Sequence, residues 1–296
     1  MKQQNFMLNT LPFLILPPLF WAGNFVVGKA IHADIPPFSL AFLRWVIAFL
    51  VILPFAWKFI QRDQSLYQQH YGRILATAII GVTCFNSLIY KGLHDTTTTN
   101  ALLLNSCIPI LIILFGRLFY AQKLQILQIV GLIVSLFGVF NIILQGDLQR
   151  LFTLSFNSGD LWVFLAIVCW AFYTIWTKSI PTDINKIGLT AIQMLVAIIA
   201  LFPLFLWEYF SQQTMIFNTQ SILGLAYVGI FPSVIAYVLY TLAIEKVGAV
   251  KAGLSIHLIP VFGVLLSISL LGETFQFYHA MGIALIALGL ILCHRK

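Results

Sequence analysis

The sequence predicts an all-α polytopic membrane protein whose ten transmembrane helices form two inverted five-helix repeats, with both termini in the cytoplasm. Three observations carry this expectation: an apolar composition, ten long apolar segments, and a residue pattern that recurs 149 to 151 positions later. Hydrophobic residues make up 60% of the 296, charged residues 8%, and mean hydropathy is +0.97. A soluble domain has roughly 45–50% apolar and about 25% charged residues, so a soluble fold would lack the polar surface it needs. The apolar runs are continuous, whereas barrel strands alternate, which excludes a transmembrane β-barrel.

The segments fall in order at about 10–31, 37–57, 74–92, 97–116, 124–144, 160–179, 187–208, 220–241, 248–269 and 275–293. Windows such as Phe38–Leu53, Leu127–Leu144, Ile192–Trp207 and Ala280–Cys293 approach, with their flanks, the roughly 20 residues a helical span needs. The first run follows a single Lys2 and has no small-residue cleavage site after it, so it is read as a retained span and not a signal peptide. Turn signals at Ala33–Pro37, Gln145–Arg150 and Pro181–Asn185 separate neighbours. The longest intervals, Lys58–Arg73, 145–159 and 209–219, leave no room for an attached soluble domain.

The net charge of +7 does not point to nucleic acid, because the basic residues stand singly at segment ends. With a cytoplasmic N-terminus, the cytoplasmic ends collect Lys2, Lys58, Arg62, Arg73, Arg117, Lys123, Lys178, Lys186, Lys246, Lys251, Arg295 and Lys296. The other face receives Lys29, Lys91 and Arg150, and Arg44 lies inside span 2. That bias sets the orientation by the positive-inside rule, with both termini cytoplasmic.

The repeat is read residue by residue. Trp21, Ala22, Lys29 and Pro54 recur 149 residues on as Trp170, Ala171, Lys178 and Pro203. Pro109, Gly131 and Gly138 recur 151 residues on as Pro260, Gly282 and Gly289. The repeats are therefore expected at 10–144 and 160–293. Five spans per copy is odd, so the second copy enters the membrane inverted, an architecture of proteins that open alternately to two sides. Cys84, Cys107, Cys169 and Cys293 show no short C-x-x-C spacing and read as small buried apolar residues.

Trp-Ala-Gly-Asn-Phe at 21–25, Arg44, the stretch from Tyr240 to Pro260, and Gly272–Glu273 before a last span carrying Gly282 and Gly289 resemble the ten-helix, EamA-domain branch of the drug/metabolite transporter (DMT) superfamily. The resemblance covers about residues 10–293. It implies export or exchange of small metabolites, amino acids or toxic compounds across a bacterial cytoplasmic (inner) membrane, and a central cavity lined by spans 1–4 and 6–9. It also implies that spans 5 and 10 stand outside that cavity, so Gly131, Gly138, Gly282 and Gly289 are expected to pack those helices together. Glu273 corresponds to Gln122 in the first half, which favours helix capping over an essential charge.

Arg44 heads the substrate-cavity candidates, since a cation seven residues into a span costs about 2.5–3.5 kcal/mol near mid-membrane unless it meets protein or water. Its bland alternative is snorkelling to the headgroups. Its repeat partner is Gln193. Asn105 and His257 precede Pro109 and Pro260 by four and three residues, where the missing donors kink both helices. His257 is the candidate for a coupling proton; alternatively it is a neutral ring bridging helices. Trp21, Asn24, Trp170, Tyr173 and Tyr237 complete the candidates, with packing as the alternative for the tryptophans. Lys29 reads as an interfacial anchor, Tyr90 and Tyr240 as an aromatic belt, and Thr96–Thr99 as a helix cap.

No Asp or Glu lies deep in a span, which argues against a buried carboxylate relay and favours a carboxylate-bearing substrate such as an amino acid or small organic acid. An aromatic-lined cavity would also suit efflux of amphipathic or aromatic drugs. A membrane enzyme acting on lipid-linked substrates is the distant alternative, and H-E-x-x-H, G-x-S-x-G and paired carboxylates are all missing. No P-loop is present, so neither ATP nor an ATPase subunit is implied. A non-enzymatic monomer without cofactor or metal is expected, its partners being the lipid bilayer, a small-molecule substrate and protons.

Overall fold

The computed structural model describes residues 2–211, 214–271 and 274–294. Ten helical rods follow in order: α1 (Lys2–Ile31), α2 (Pro37–Arg62), α3 (Tyr71–Asp95), α4 (Thr99–Tyr120), α5 (Ile126–Ile143), α6 (Ser158–Lys178), α7 (Lys186–Phe210), α8 (Thr219–Val247), α9 (Ala249–Ser269) and α10 (Phe277–His294). Among the described residues, α1 to α9 contain stretches long and apolar enough to cross a membrane, and α10 adds a shorter one, Phe277–Cys293. Large apolar side chains such as Phe55, Phe137, Ile199, Phe202 and Phe210 are exposed around the rods. An apolar perimeter of that extent is stable only against lipid.

Four rods are interrupted, three of them beside a proline that removes a helical hydrogen bond. Pro109 follows a break in α4 at Ser106–Cys107, and Pro260 follows a 3₁₀ turn, Ser255–His257, in α9. Both lack the N–H that would close the helix onto the residue four back. α8 widens into a π-helix over Gly229–Ile235, around Pro232. α3 widens likewise over Ala78–Cys84, with no proline, and the two π segments lie 151 residues apart. That interval is the one separating Pro109 from Pro260. π segments concentrate at functional sites because they misalign backbone groups that side chains then satisfy.

The rods pair across the chain. α2 and α7 run antiparallel, each capped by the other's far end: Glu208 accepts from Phe38 N (3.2 Å) and Ser39 N (2.6 Å), and Asp63 accepts from Asn185 N (2.8 Å). A carboxylate at a helix start satisfies free N–H groups and meets the positive end of the dipole. α5 and α10 pair through the four expected glycines. A Cβ on Gly131 would stand 2.5 Å from Gly289 O, and one on Gly138 2.7 Å from Gly282 O. The contact is backbone on backbone and tolerates no side chain.

Two belts of polar contacts close the ends. At the basic end, Lys186 pairs with Glu245 (3.2 Å), Arg73 donates to Ser179 O (3.0 Å) and Lys178 to Glu245 O (3.2 Å). At the opposite end, Asp34 holds Asn218 (2.9 Å), and Asp160 holds Thr96 and Asn100. Thr97 caps α4 by accepting from Asn100 N, as the Thr96–Thr99 run implied. The four cysteines are free. Glu273 and its expected capping role lie outside the described residues, as does the side chain of Lys29.

Asp63 is buried yet charged, and sits in the connection after α2, outside the spans. Its hydrogen bond from Arg62 (2.6 Å) is the main reason its carboxyl is held below the usual carboxylate range; burial opposes this, and the Asn185 N–H and Lys186 charge assist. A depressed folded value adds stability above the unfolded value, about 3.9, which is lost as pH falls through the folded one. Thermal midpoints measured from pH 7 to pH 3 are therefore expected to drop at the acid end in the parent chain. Asp63→Asn should lower the midpoint at pH 7 and flatten that drop; an unchanged pH profile would contradict the assignment.

Candidate functional site

The polar residues of α1, α2, α3 and α8 converge on Arg44. Its side chain is 1% exposed. Nε donates to Ser233 Oγ (2.8 Å), and one terminal nitrogen donates to Asn86 Oδ1 (2.9 Å) and Tyr90 Oη (2.5 Å). The guanidinium also lies over the Trp45 ring, 4.8 Å from its centroid. Each hydrogen bond to a charged group contributes about 1.5–3 kcal/mol, enough together to offset a membrane-insertion cost of about 2.5–3.5 kcal/mol. Arg44 is thus anchored in protein and does not snorkel to headgroups.

Every one of these partners is neutral. Among the described residues no carboxylate pairs with Arg44, and its second terminal nitrogen has no protein hydrogen bond. The partners are themselves fixed from behind. Asn86 Nδ2 donates to Val82 O (2.8 Å) and Tyr237 Oη (3.0 Å), Tyr237 Oη donates to Gly81 O (3.2 Å), and Tyr90 Oη donates to Asn24 Oδ1 (3.1 Å). Ser233 donates to Val228 O (2.7 Å).

The two π segments make this possible. Gly81 O in the first receives Tyr237, and Pro232 O, its counterpart 151 residues on, receives Trp21 Nε1 at 3.2 Å. Gly81 has a further role: a Cβ there would collide with the Tyr173 ring, so glycine lets α6 approach α3. Ser233 reaches Arg44 from inside the second π segment.

A cavity lies beside the guanidinium, lined by Trp21, Asn24, Arg44, Asn105, Trp170 and Tyr237 together with apolar Phe25, Phe85, Ile89, Ile108, Ile256 and Ile259. The space open to water centres is about 30 Å³, against the ~10–15 Å³ that one ordered water needs. That is room for about two waters, so a metabolite enters only if the walls part. Phe25 and Ile259 also line a second cavity of about 400 Å³, with Val26, Thr99, Gln145 and Ser267, toward the end opposite the basic belt. Those two side chains are the partition between site and vestibule.

Toward the basic end the site has an aromatic floor. Trp21 meets Trp170 edge-on (centroids 5.1 Å apart) and Tyr240 (5.1 Å), and Trp170 meets Tyr173 (5.1 Å) and Tyr237 (5.4 Å). Such pairs contribute about 0.5–1.5 kcal/mol each beyond area burial. The floor and the ion pairs beneath it close that end, while the vestibule opens the other.

Of the residues singled out from sequence, Arg44, Trp21, Asn24, Asn105, Trp170 and Tyr237 come together around the cavity. Tyr173 lies beneath it, against Trp170. Gln193 is elsewhere, donating to Thr77 Oγ1 (2.8 Å) toward the basic end. His257 is fully buried and bridges the two broken helices: Nδ1 contacts Ser135 Oγ (2.7 Å) and Nε2 contacts Ser106 O (3.0 Å). The aromatic-belt reading of Tyr90 and Tyr240 is overturned. Both are buried, Tyr90 on Arg44 and Tyr240 against Thr174, because each has an inward polar partner that a headgroup would have to replace. Asn86, Tyr90 and Ser233 were missed; a polar residue in mid-span and a serine beside Pro232 were the available signals.

A family model described as the EamA-like transporter family matches residues 9–144 and again residues 157–294. The chain belongs to the EamA-like transporter family. This EamA-like protein is 27% identical to "Uncharacterized transporter YyaM" of Bacillus subtilis, over 98% of this chain and 94% of that one. A transporter of Archaeoglobus fulgidus is 27% identical, covering 96% of each chain. A solved structure with 18% identity superposes with a TM-score of 0.77 over 97% of this chain and 96% of the other, a likeness of fold. This EamA-like chain is accordingly a multi-pass protein of the cytoplasmic membrane that carries small molecules by secondary transport, and it is not an enzyme.

Proposed function

We propose that this transporter exports small carboxylate-bearing metabolites, amino acids foremost, by rocking two inverted halves, 10–144 and 160–293, around the Arg44 cavity. The observation that carries this is a buried guanidinium, paired with no carboxylate among the described residues, whose free terminal nitrogen belongs to a side chain lining the cavity. An uncompensated cation in low dielectric attracts an anion, and a planar guanidinium suits a carboxylate. With the basic end in the cytoplasm, the vestibule faces outward. His257 is the candidate carrier of a coupling proton, since its ring joins both helix breaks, and the functional unit is a monomer.

The apolar and aromatic walls keep drug efflux as a second reading, because they would seat an amphipathic ring without using the charge. Expression in a host with reduced export, loaded with labelled amino acids, organic acids and cationic amphiphiles, separates the two. Lower accumulation of a carboxylate is expected. Lower accumulation of cationic amphiphiles alone would favour efflux.

A further inference from the structure

We infer that the helix breaks of α4 and α9 form a cation subsite for the α-ammonium group of a zwitterionic amino acid, built from the main-chain carbonyls of Asn105 and Ile256 and the side-chain oxygen of Asn105. This rests on the reading that Arg44 takes the carboxylate, and it names the other half of the recognition.

The carbonyls come first. In a continuous helix the oxygen of residue i accepts from the N–H of residue i+4. The residues four beyond Asn105 and Ile256 are Pro109 and Pro260, which have no N–H. Ile256 O receives the Leu258 N–H two residues on, and as a carbonyl it retains a second lone pair. Asn105 and Ile256 both line the cavity that Arg44 lines, one from each half, 151 residues apart. Broken helices in membrane carriers place such carbonyls where they coordinate cations.

The side chain of Asn105 is the second, independent observation. It is 4% exposed, lines the cavity, and makes no hydrogen bond to protein among the described residues. An amide with no protein partner at the wall of a cavity is free to meet a ligand there. The same cavity has no acidic lining residue, so an ammonium group there depends on neutral oxygens. His257 leaves them free, because its ring faces Ser106 O and Ser135.

Restoring the backbone donor tests the subsite without touching Arg44. Proteoliposomes containing the full chain are assayed with six apolar L-amino acids, each paired with the 2-hydroxy acid that replaces its ammonium by a hydroxyl, in sodium and in N-methylglucamine buffers. The parent chain should prefer the amino acid of a transported pair by tenfold or more, in either buffer. Pro109→Ala, which returns an N–H to Asn105 O, and Asn105→Leu should raise KM for the amino acid at least tenfold and leave the hydroxy acid within twofold. Pro260→Ala provides the same test if the first variant does not fold. Equal transport of both members, an equal effect of the variants on both, or a strict sodium requirement overturns the ammonium subsite and leaves the Arg44 reading intact. Transport of neither member of any pair overturns both.

Discussion

Arg44→Ala is expected to reduce carboxylate transport by on the order of a hundredfold or more while the protein remains in the membrane. The free face of the guanidinium offers a carboxylate charge-assisted hydrogen bonds of about 1.5–3 kcal/mol each. One such bond at the upper end of that range supplies the roughly 2.8 kcal/mol that a hundredfold loss requires. Arg44 also props Asn86, Tyr90 and Ser233, so the alanine variant alone could act through structure. Arg44→Lys answers that objection, because it keeps the charge and loses the fork. Initial uptake rates, normalised to purified folded protein, should fall in the order Arg, Lys, Ala. Normal transport by Arg44→Ala would remove Arg44 from substrate binding.

Gly138→Ala is expected to cause a clear loss of stability, because a methyl there meets backbone and not the end of a flexible side chain. The new Cβ would lie 2.7 Å from Gly282 O and 2.9 Å from the Ile286 backbone nitrogen, so α5 and α10 must separate. Overpacking of one methyl against a side chain costs about 1–3 kcal/mol, and a backbone wall cannot swing aside as a side chain can. Gly72→Ala is the control, since a Cβ there meets nothing within 4 Å. Thermal midpoints in detergent should fall clearly for the first variant and stay within error for the second. Equal midpoints would mean that the α5–α10 contact is not the close one described.

Much of this architecture was legible in the sequence because hydrophobic length and matched prolines and glycines record backbone requirements directly. Pro109 and Pro260 announce two broken helices, and Gly131, Gly138, Gly282 and Gly289 announce a contact that admits no side chain. Arg44 was legible for a similar reason: a charge within an apolar run must find a polar environment. The rest depended on which way side chains turn. Tyr90 near the end of a span reads as an interfacial anchor until Arg44 is seen to reach it, and His257 reads as cavity-facing until Ser135 claims its ring. The π segment at Ala78–Cys84 has no proline to betray it, so the carbonyl that anchors Tyr237 could not be anticipated. Gln193 lies 149 residues beyond Arg44 but stands toward the other end of the bundle, against Thr77, which its sequence alone does not tell.

If the proposed mechanism holds, a single cavity beside Arg44 opens in turn to each side of the membrane. Its most direct test is thiol labelling of Ile89→Cys, a lining position without a polar role, in a chain whose four cysteines have been replaced and shown to transport. A membrane-impermeant maleimide is applied to one face at a time, with and without transported substrate. Labelling from either face is predicted, with substrate changing the two rates in opposite directions. Labelling from one face only, whatever the substrate, would contradict alternating access at this site.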